Sequence, residues 1–162
     1  MPEPKAASVS RVTCGSARLY VRDVGAGPPV VVVHGGPDFG HDYLLPELDL
    51  LADACRLVYY DQRGRGRSYA GDAPDDVTMA GEVDDLDCVR RSLGLETMAV
   101  LGHSWGCLVA MEYALRFPAR VSHLILLGTA PPSGEAARTL GRSLRAARTA
   151  DESATMAGLE QA

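Results

Sequence analysis

At residues 98–113 the chain reads MAVLGHSWGCLVAMEY: a short apolar run, the pentad GHSWG, and a second stretch rich in apolar residues. The first run predicts a buried strand and the second stretch predicts a helix, so the pentad lies at a sharp strand-to-helix turn. Gly102 and Gly106 fit places where the two backbones pass too closely for side chains. We expect the turn to force a strained backbone on Ser104 and to expose its hydroxyl above the sheet.

Ser104 is therefore the candidate catalytic residue, acting as a nucleophile. It would lie at the N-terminus of the next helix, where the backbone N–H of Trp105 and the positive end of the helix dipole can stabilise a developing oxyanion. A glycine- and serine-rich turn that matches the pentad without any chemistry is the alternative interpretation. The strand before the pentad and the helix after it favour the catalytic one.

The composition limits the organisation of the chain and its partners. With 162 residues, 46% of them apolar, the chain is long enough for one domain with a substantial core. The formal net charge of −5 argues against nucleic acid or an anionic membrane surface as a partner. No apolar run reaches the length of a membrane helix, and the N-terminus lacks the apolar core of a signal peptide. We expect a soluble, cytoplasmic protein.

The four cysteines are scattered through the sequence, without a Cys-x-x-Cys pair or a histidine at metal-ligand spacing. They are Cys14, Cys55, Cys88 and Cys107. We therefore expect reduced cysteines in the core, no metal site and no cofactor.

Strand and helix patterns alternate along the chain. Four consecutive valines, Val30–Val33, predict a strand buried on both faces, and hence a parallel sheet that helices cover. The other predicted strands are Ser8–Thr13, Arg18–Asp23, Arg56–Tyr60, Met98–Leu101 and Val121–Leu127. The predicted helices are Leu44–Ala54, a helix from the N-cap Thr78 to about Leu93, the helix after the pentad, and Ser133–Thr149. Three aspartates of the second helix are expected to be mostly solvated: Asp84, Asp85 and Asp87.

Three motifs in chain order carry a resemblance to a known family. They are His34-Gly35-Gly36-Pro37, Asp61-Gln62-Arg63-Gly64-Arg65-Gly66-Arg67-Ser68 and Gly102-His103-Ser104-Trp105-Gly106. Together they make residues 18–130 resemble an α/β-hydrolase, most closely its proline iminopeptidase branch. The resemblance implies an α/β fold with a mostly parallel sheet of about six strands and helices on both faces, truncated before the family's last strands. It makes residues 1–130 the N-terminal part of the hydrolase core, and residues 131–162 the start of a helical cap or a tail.

The same resemblance implies roles for residues around the nucleophile. The second oxyanion-hole N–H comes from Gly36, beside that of Trp105. Six further residues support two segments: the elbow, which is the strand-to-helix turn that carries Ser104, and the oxyanion loop, which follows the strand Val30–Val33. They are His34, Gly35, Pro37, Gly102, His103 and Gly106. The chain departs from the usual family pattern at Asp38, His103 and Cys107. These departures leave open whether the substrate, a small molecule or short peptide, carries an amide or an ester bond.

The family places its triad acid and histidine after the elbow, on loops of later strands, and we expect both to be missing here. Three histidines could replace the base, and each is better explained as a structural or surface residue. His103 adjoins Ser104, but neighbouring strand residues point to opposite faces. His41 has no evident acid partner, and His123 lies near the N-terminal end of its strand.

Two hypotheses of different class follow. In the first, the chain is a serine hydrolase, or half of a split one, whose remainder is truncated or supplied by another chain. In the second, it is a catalytically inactive remnant or an interaction module. The resemblance also makes Val121–Leu127 an unpaired sheet edge without an interrupting charge or proline. We expect self-association unless a complementing C-terminal chain covers that edge.

Overall fold

A computed structural model describes residues 5–36, 39–68, 77–129, 131, 133–147 and 149. The strands are β1 (Ser8–Cys14), β2 (Ala17–Val24), β3 (Pro29–Val33), β4 (Arg56–Tyr60), β5 (Met98–His103) and β6 (Val121–Leu127). They form one sheet in the order β1-β2-β4-β3-β5-β6. β2 pairs antiparallel with β1 and β4, whereas β3 pairs in parallel with β4 and β5, and β5 in parallel with β6. The predicted N-terminal hairpin and the parallel pairing after it are both confirmed.

Two apolar clusters cover the two faces of this sheet. The α-helices of the described residues are α1 (Met79–Ser92), α2 (Trp105–Arg116) and α3 (Gly134–Ala147). Side chains of α1 and α2 pack with Val31 and Val58 in one cluster, whereas Val32 and Tyr59 belong to the other. Because adjacent residues of a strand point to opposite faces, the central strands are buried on both sides. This arrangement is the one that the run of valines predicts.

The helix predicted at Leu44–Ala54 is wrong in type. The structure has two short 3-10 helices instead, His41–Leu44 and Leu48–Asp53, with hydrogen bonds between residues three apart. Pro46 separates them, since it has no N–H and cannot continue a helical ladder of hydrogen bonds. Leu44 is nevertheless buried in the second apolar cluster. Leu45 and Leu48 also pack against this cluster, whereas Leu51 is 47% exposed, so the apolar spacing identified the packing face only in part.

Helix α1 begins where the sequence predicts, because the Gly81 N–H donates to Thr78 Oγ1 across 3.1 Å. The prediction that Asp85 is solvated is wrong, since this residue is only 2% exposed. Arg63, from the loop after β4, donates two hydrogen bonds to its carboxylate, at 2.8 and 3.0 Å. A buried carboxylate is tolerated when a guanidinium pairs with it in this way. The prediction is also wrong for Asp87, whose side chain is 13% exposed and accepts from Arg90 and Tyr113, whereas Asp84 is exposed as predicted.

Cys14 and Cys88 form a disulfide, with their Cα atoms 5.9 Å apart. Cys14 ends β1, and Cys88 lies in α1, which packs against that strand. The prediction of reduced cysteines is therefore wrong for this pair. The two partners are 74 residues apart in the sequence, so their spacing gives no sign that they meet. Cys55 and Cys107 are free thiols, as expected. Disulfides persist in oxidising compartments and are rare in the cytosol, so this bond argues against the predicted cytoplasmic location. That location stays a prediction.

In the described part of the chain, β6 lies at the end of the sheet with one edge unpaired. Four of its apolar residues are 39% to 48% exposed: Leu124, Ile125, Leu126 and Leu127. The predicted unpaired edge is therefore present. None of the described helices has the length and apolar character needed to cross a membrane.

Residues 130–162 form a separate unit, which contains α3. The Ala136 N–H donates to Ser133 Oγ across 3.1 Å, so Ser133 caps α3 as the sequence predicts. Pro37, predicted as part of the oxyanion loop, and residues 151–162, the end of the predicted cap or tail, lie outside the described residues.

Candidate active site

The turn between β5 and α2 has the backbone that the pentad predicts. Ser104 has φ 51° and ψ −114°, and it alone has a positive φ among the described non-glycine residues. Such a conformation costs about 1 to 3 kcal/mol and persists only where the surrounding structure holds it. Here the Ser104 N–H donates to the Leu127 carbonyl oxygen, and the Ser104 carbonyl accepts from the Cys107 N–H, both across 3.0 Å. Hydrogen bonds to β6 and to α2 therefore hold the strained residue from both sides.

Gly102 and Gly106 leave no room for side chains at this turn. A Cβ on Gly106 would overlap the carbonyl oxygen of Val33, and a Cβ on Gly102 would lie 2.5 Å from the Gly106 carbonyl oxygen. A larger residue at position 102 would push β5 away from α2, and one at position 106 would push α2 away from the end of β3. This close approach is the physical reason for the Gly-x-Ser-x-Gly spacing.

The loop after β3 is held by His34. Its Nε2 accepts the Gln62 N–H across 3.0 Å, and its Nδ1 donates to the Gly35 carbonyl oxygen across 2.5 Å. The Gln62 side chain also donates to the His34 carbonyl oxygen, at 2.6 Å. Burial lowers the pKa of His34 to about 4, so the imidazole is neutral at pH 7. Both ring nitrogens are therefore committed to holding the loop.

Asp61, the first residue of the second motif, binds the segment that follows the oxyanion loop. Its carboxylate accepts hydrogen bonds from the His41 N–H at 2.9 Å, from His41 Nδ1 at 2.7 Å and from the Arg67 N–H at 2.8 Å. Burial by itself would raise the pKa of Asp61, but these hydrogen bonds outweigh it and lower the pKa. His41 thus has an acid partner that the sequence does not reveal. Its ring is nevertheless fully buried, stacked between Tyr20 and Tyr59.

Tyr43, Gly35 and His103 meet beside Ser104. The Gly35 N–H donates to the Tyr43 hydroxyl across 2.7 Å, and that oxygen lies 2.6 Å from His103 Nδ1. The prediction that His103 points away from Ser104 is wrong, since both residues line one cavity of about 340 Å³. Strand alternation fails here because Ser104 has a turn backbone rather than an extended one. No signal in the sequence identifies Tyr43, which contacts a residue 60 positions away.

The structure gathers several predicted site residues around this cavity. Its lining residues are Gly35, Gly36, Phe39, Tyr43, His103 and Ser104. Trp105 begins α2, and the first N–H groups of a helix have no intrahelical acceptor. His123 is not part of the cavity lining and is exposed on β6. Among the described side chains, no group of three potential metal ligands converges at any point.

Comparison with known proteins shows the origin of this arrangement. A family model described as the alpha/beta hydrolase fold matches residues 28–148. The proline iminopeptidase of Lactobacillus helveticus is 36% identical over 133 residues, which are 78% of this chain and 45% of the relative. The cis-3-alkyl-4-alkyloxetan-2-one decarboxylase of Shewanella oneidensis is 34% identical over 117 residues, 69% of this chain and 36% of the relative. A crystal structure of proline iminopeptidase from Mycobacterium smegmatis superposes with a TM-score of 0.80 at 32% identity, covering 88% of this chain and 50% of that one.

The chain spans half or less of the length of each of these three proteins. Two of them are named as peptidases and one as a decarboxylase, so the likeness assigns a family rather than a substrate. The family model covers four of the six strands, β3 to β6, together with the elbow and the two motifs that precede it in the chain. By sequence and by structure, the chain belongs to the α/β-hydrolase fold family.

Proposed function

We propose that Ser104 is the nucleophile of a serine hydrolase that cleaves a peptide, amide or ester bond. The observation that carries this proposal is the strained backbone of Ser104, φ 51°, in a residue that lines a cavity at a strand-to-helix turn. A turn without chemistry would relieve this strain by using glycine, whereas strained residues gather at functional sites. The similarity to proline iminopeptidases supports a small, peptide-like substrate.

In the proposed reaction, Ser104 Oγ attacks the substrate carbonyl carbon and gives its proton to a general base. The tetrahedral oxyanion accepts hydrogen bonds from the backbone N–H groups of Trp105 and Gly36. The intermediate then releases the amine or alcohol, which leaves with the proton from the base, and water hydrolyses the acyl-serine. The N-terminal end of the α2 dipole favours the negative charge that develops beside it.

In the described structure, none of the four histidines is placed to act as this base. His34 and His41 are fully buried. His103 is hydrogen-bonded to Tyr43, and His123 is exposed on β6. No hydrogen bond joins any of these four rings to the nucleophile's hydroxyl among the described residues. We therefore propose that the base and the acid of the triad come from polypeptide outside the 162 residues, in a longer form of the chain or in a partner chain.

A non-catalytic remnant or interaction module is the second candidate function. The unpaired apolar edge of β6 favours it, because such an edge can pair with a strand of another chain. The two candidates differ in one chemical property, which is whether the hydroxyl of Ser104 reacts.

Labelling of the isolated chain with a fluorophosphonate, followed by mass spectrometry of the modified peptide, tests the proposal. In this reaction the serine oxygen attacks phosphorus and fluoride leaves. Because the chain lacks its base, we expect slow labelling of Ser104 that added imidazole accelerates by acting as an external base. Ser104→Ala should abolish the labelling. Ser122→Ala, which removes an exposed serine of β6, should leave it unchanged.

Two results would contradict parts of this proposal. Absence of labelling with and without imidazole would show that Ser104 is not an activated nucleophile and would favour the interaction module. Rapid labelling of Ser104 without imidazole would show that the chain contains its own base.

A further inference from the structure

The hydroxyl of Tyr43 joins the two segments that carry the proposed oxyanion donors. It accepts the Gly35 N–H across 2.7 Å and lies 2.6 Å from Nδ1 of His103, the residue before Ser104. A phenol has one proton, and because the Gly35 N–H already occupies an acceptor position, that proton points toward His103. Nδ1 is then the unprotonated nitrogen of the His103 ring, as assigned from this hydrogen-bond network. One hydroxyl therefore links the oxyanion loop to the elbow.

The same groups converge on the α-carbon of Gly35. A Cβ at this position would lie 2.9 Å from the Tyr43 hydroxyl oxygen, 3.1 Å from His103 Nδ1 and 3.2 Å from Ser104 Cβ. The oxyanion loop and the elbow are thus in contact, with no space for a larger residue between them. A shift of the oxyanion loop or of the elbow therefore changes the distance between the Gly36 N–H and the Trp105 N–H.

The Tyr43 side chain is itself fixed by its surroundings. Tyr43 lies in the 3-10 helix His41–Leu44, which His41 ties to Asp61 through a 2.7 Å contact. The ring of Tyr43 packs against that of His103, with centroids 5.3 Å apart. Burial raises the pKa of Tyr43, so its hydroxyl remains protonated at neutral pH and can donate. Although Tyr43 is 45% exposed, these contacts hold its hydroxyl against both backbone segments.

We propose that Tyr43 is a positioning residue for the oxyanion hole, an inference that rests on the proposed role of Ser104. Through Gly35 and His103, its hydroxyl sets the separation of the two oxyanion donors. Such donors act over a narrow range of distances, and a displacement of about 1 Å lowers a rate by about 100-fold. Tyr43 acts on the donors rather than on the substrate, so it affects the chemical step more than binding.

Tyr43→Phe tests this proposal because it removes the hydroxyl and keeps the ring. In fluorophosphonate labelling with imidazole, we expect the maximal inactivation rate to fall by about 10-fold to 100-fold, with the half-saturating probe concentration changed by less than about twofold. Tyr113→Phe is the matched control. It removes a hydroxyl that donates to Asp87 across 3.1 Å, between α2 and α1, and it should leave both constants unchanged. An equal fall in both variants, or weaker probe binding alone, would overturn the proposal.

A second measurement makes the test independent of the reactivity of Ser104. In ¹H–¹⁵N NMR spectra, Tyr43→Phe should shift the backbone amide resonances of Gly36 and Trp105, whereas Tyr113→Phe should not. If these resonances shift but the unmodified chain is never labelled, the link through Tyr43 stands and the nucleophile role fails. If neither resonance shifts, the positioning role fails whatever the labelling shows.

Discussion

Trp105 and Glu82 are joined by a hydrogen bond, in which the indole Nε1–H donates to Glu82 Oε2 across 3.0 Å. Glu82 is buried in α1, and its Oε1 lies 2.7 Å from Nη1 of Arg65. This second contact lacks the alignment of a hydrogen bond, so it is a charge interaction. One buried carboxylate thus connects the tryptophan of the third motif with an arginine of the second.

Glu82→Gln should destabilise the protein by about 3 kcal/mol. Glutamine still accepts a hydrogen bond from Trp105, but it removes the negative charge 2.7 Å from the buried guanidinium of Arg65, and removing one partner of a buried ion pair is costly. Glu112→Gln, at an exposed position of α2, should change stability by about 0.5 kcal/mol or less. Trp105 is the only tryptophan of the sequence, so urea unfolding followed by its fluorescence measures both variants. Equal stabilities would show that Arg65 does not depend on Glu82.

Ser104→Gly should be more stable than Ser104→Ala by about 1 kcal/mol. Both variants lose the hydroxyl, but alanine keeps the cost of a Cβ at φ 51°, about 1 to 3 kcal/mol, whereas glycine adopts this conformation freely. The greater chain entropy of glycine in the unfolded state offsets part of this difference. Urea unfolding of the two variants measures it. If the alanine variant were the more stable one, the backbone of Ser104 would not be strained.

The local sequence pattern predicts the sheet and the elbow for physical reasons. Val30–Val33 has no polar face, so the strand can only be buried on both sides. Gly102 reflects a contact within a few residues of chain, between β5 and α2, whereas Gly106 reflects the close approach of α2 to Val33 in the distant strand β3. The same local reasoning failed at Leu44–Ala54, because Pro46 interrupts a pattern whose apolar spacing is helical.

The contacts that local patterns could not predict join distant segments. The Tyr43 hydroxyl contacts His103 across 60 residues, and the Cys14–Cys88 disulfide spans 74. Such pairs depend on which strands become neighbours, and the alternation of hydrophobic residues does not encode that order. The orientation of His103 was predicted wrongly for a related reason, since a single non-extended residue rotates the side chains around it.

Acidification should destabilise the protein through His34 in the range from pH 7 to pH 5. Burial lowers the pKa of His34 to about 4 in the folded state, whereas an unfolded histidine has a pKa of about 6.5. Between these values the unfolded state binds more protons, so stability falls as the pH falls, by about 2 kcal/mol between pH 7 and pH 5. Protonation of Nε2 would also place its proton against the Gln62 N–H.

Urea unfolding at the two pH values, compared among variants, isolates this contribution. His34→Asn should be less stable at pH 7 but should lose much less stability between pH 7 and pH 5. His123→Asn, which replaces an exposed histidine, should retain the full pH dependence of the original chain. The same pH dependence in His34→Asn would assign the effect to another group.

The Cys14–Cys88 disulfide should leave two of the four cysteines unreactive toward a thiol reagent in the denatured, unreduced protein. Reduction should raise the count to four and lower the free energy of unfolding by about 4 kcal/mol, because the bond closes a loop of 74 residues in the unfolded chain. Cys55→Ser is the control, since it removes a free thiol and should leave the effect of reduction unchanged. Four reactive thiols without reduction would show that the bond does not form.

The unpaired edge of β6 should make the isolated chain self-associate. This strand offers unpaired backbone N–H and C=O groups together with exposed apolar side chains, which is the surface that pairs with strands of other chains. A neighbouring cleft of about 560 Å³, lined in part by Leu48, Leu51 and Leu127, extends this apolar surface. We expect oligomers in size-exclusion chromatography with light scattering, and a broad thermal transition.

Ile125→Lys should shift the chain toward the monomer, because a lysine on an edge strand disfavours pairing with another strand. Leu115→Lys is the matched control. Leu115 lies in α2 and is 78% exposed, against 42% for Ile125. A general gain in solubility would therefore appear in both variants, whereas a loss of strand pairing would appear only in Ile125→Lys. A complementing chain that supplies further strands would occupy the same edge and would also abolish self-association. A monodisperse monomer of the unsubstituted chain, with a sharp cooperative transition, would mean that this edge is already covered.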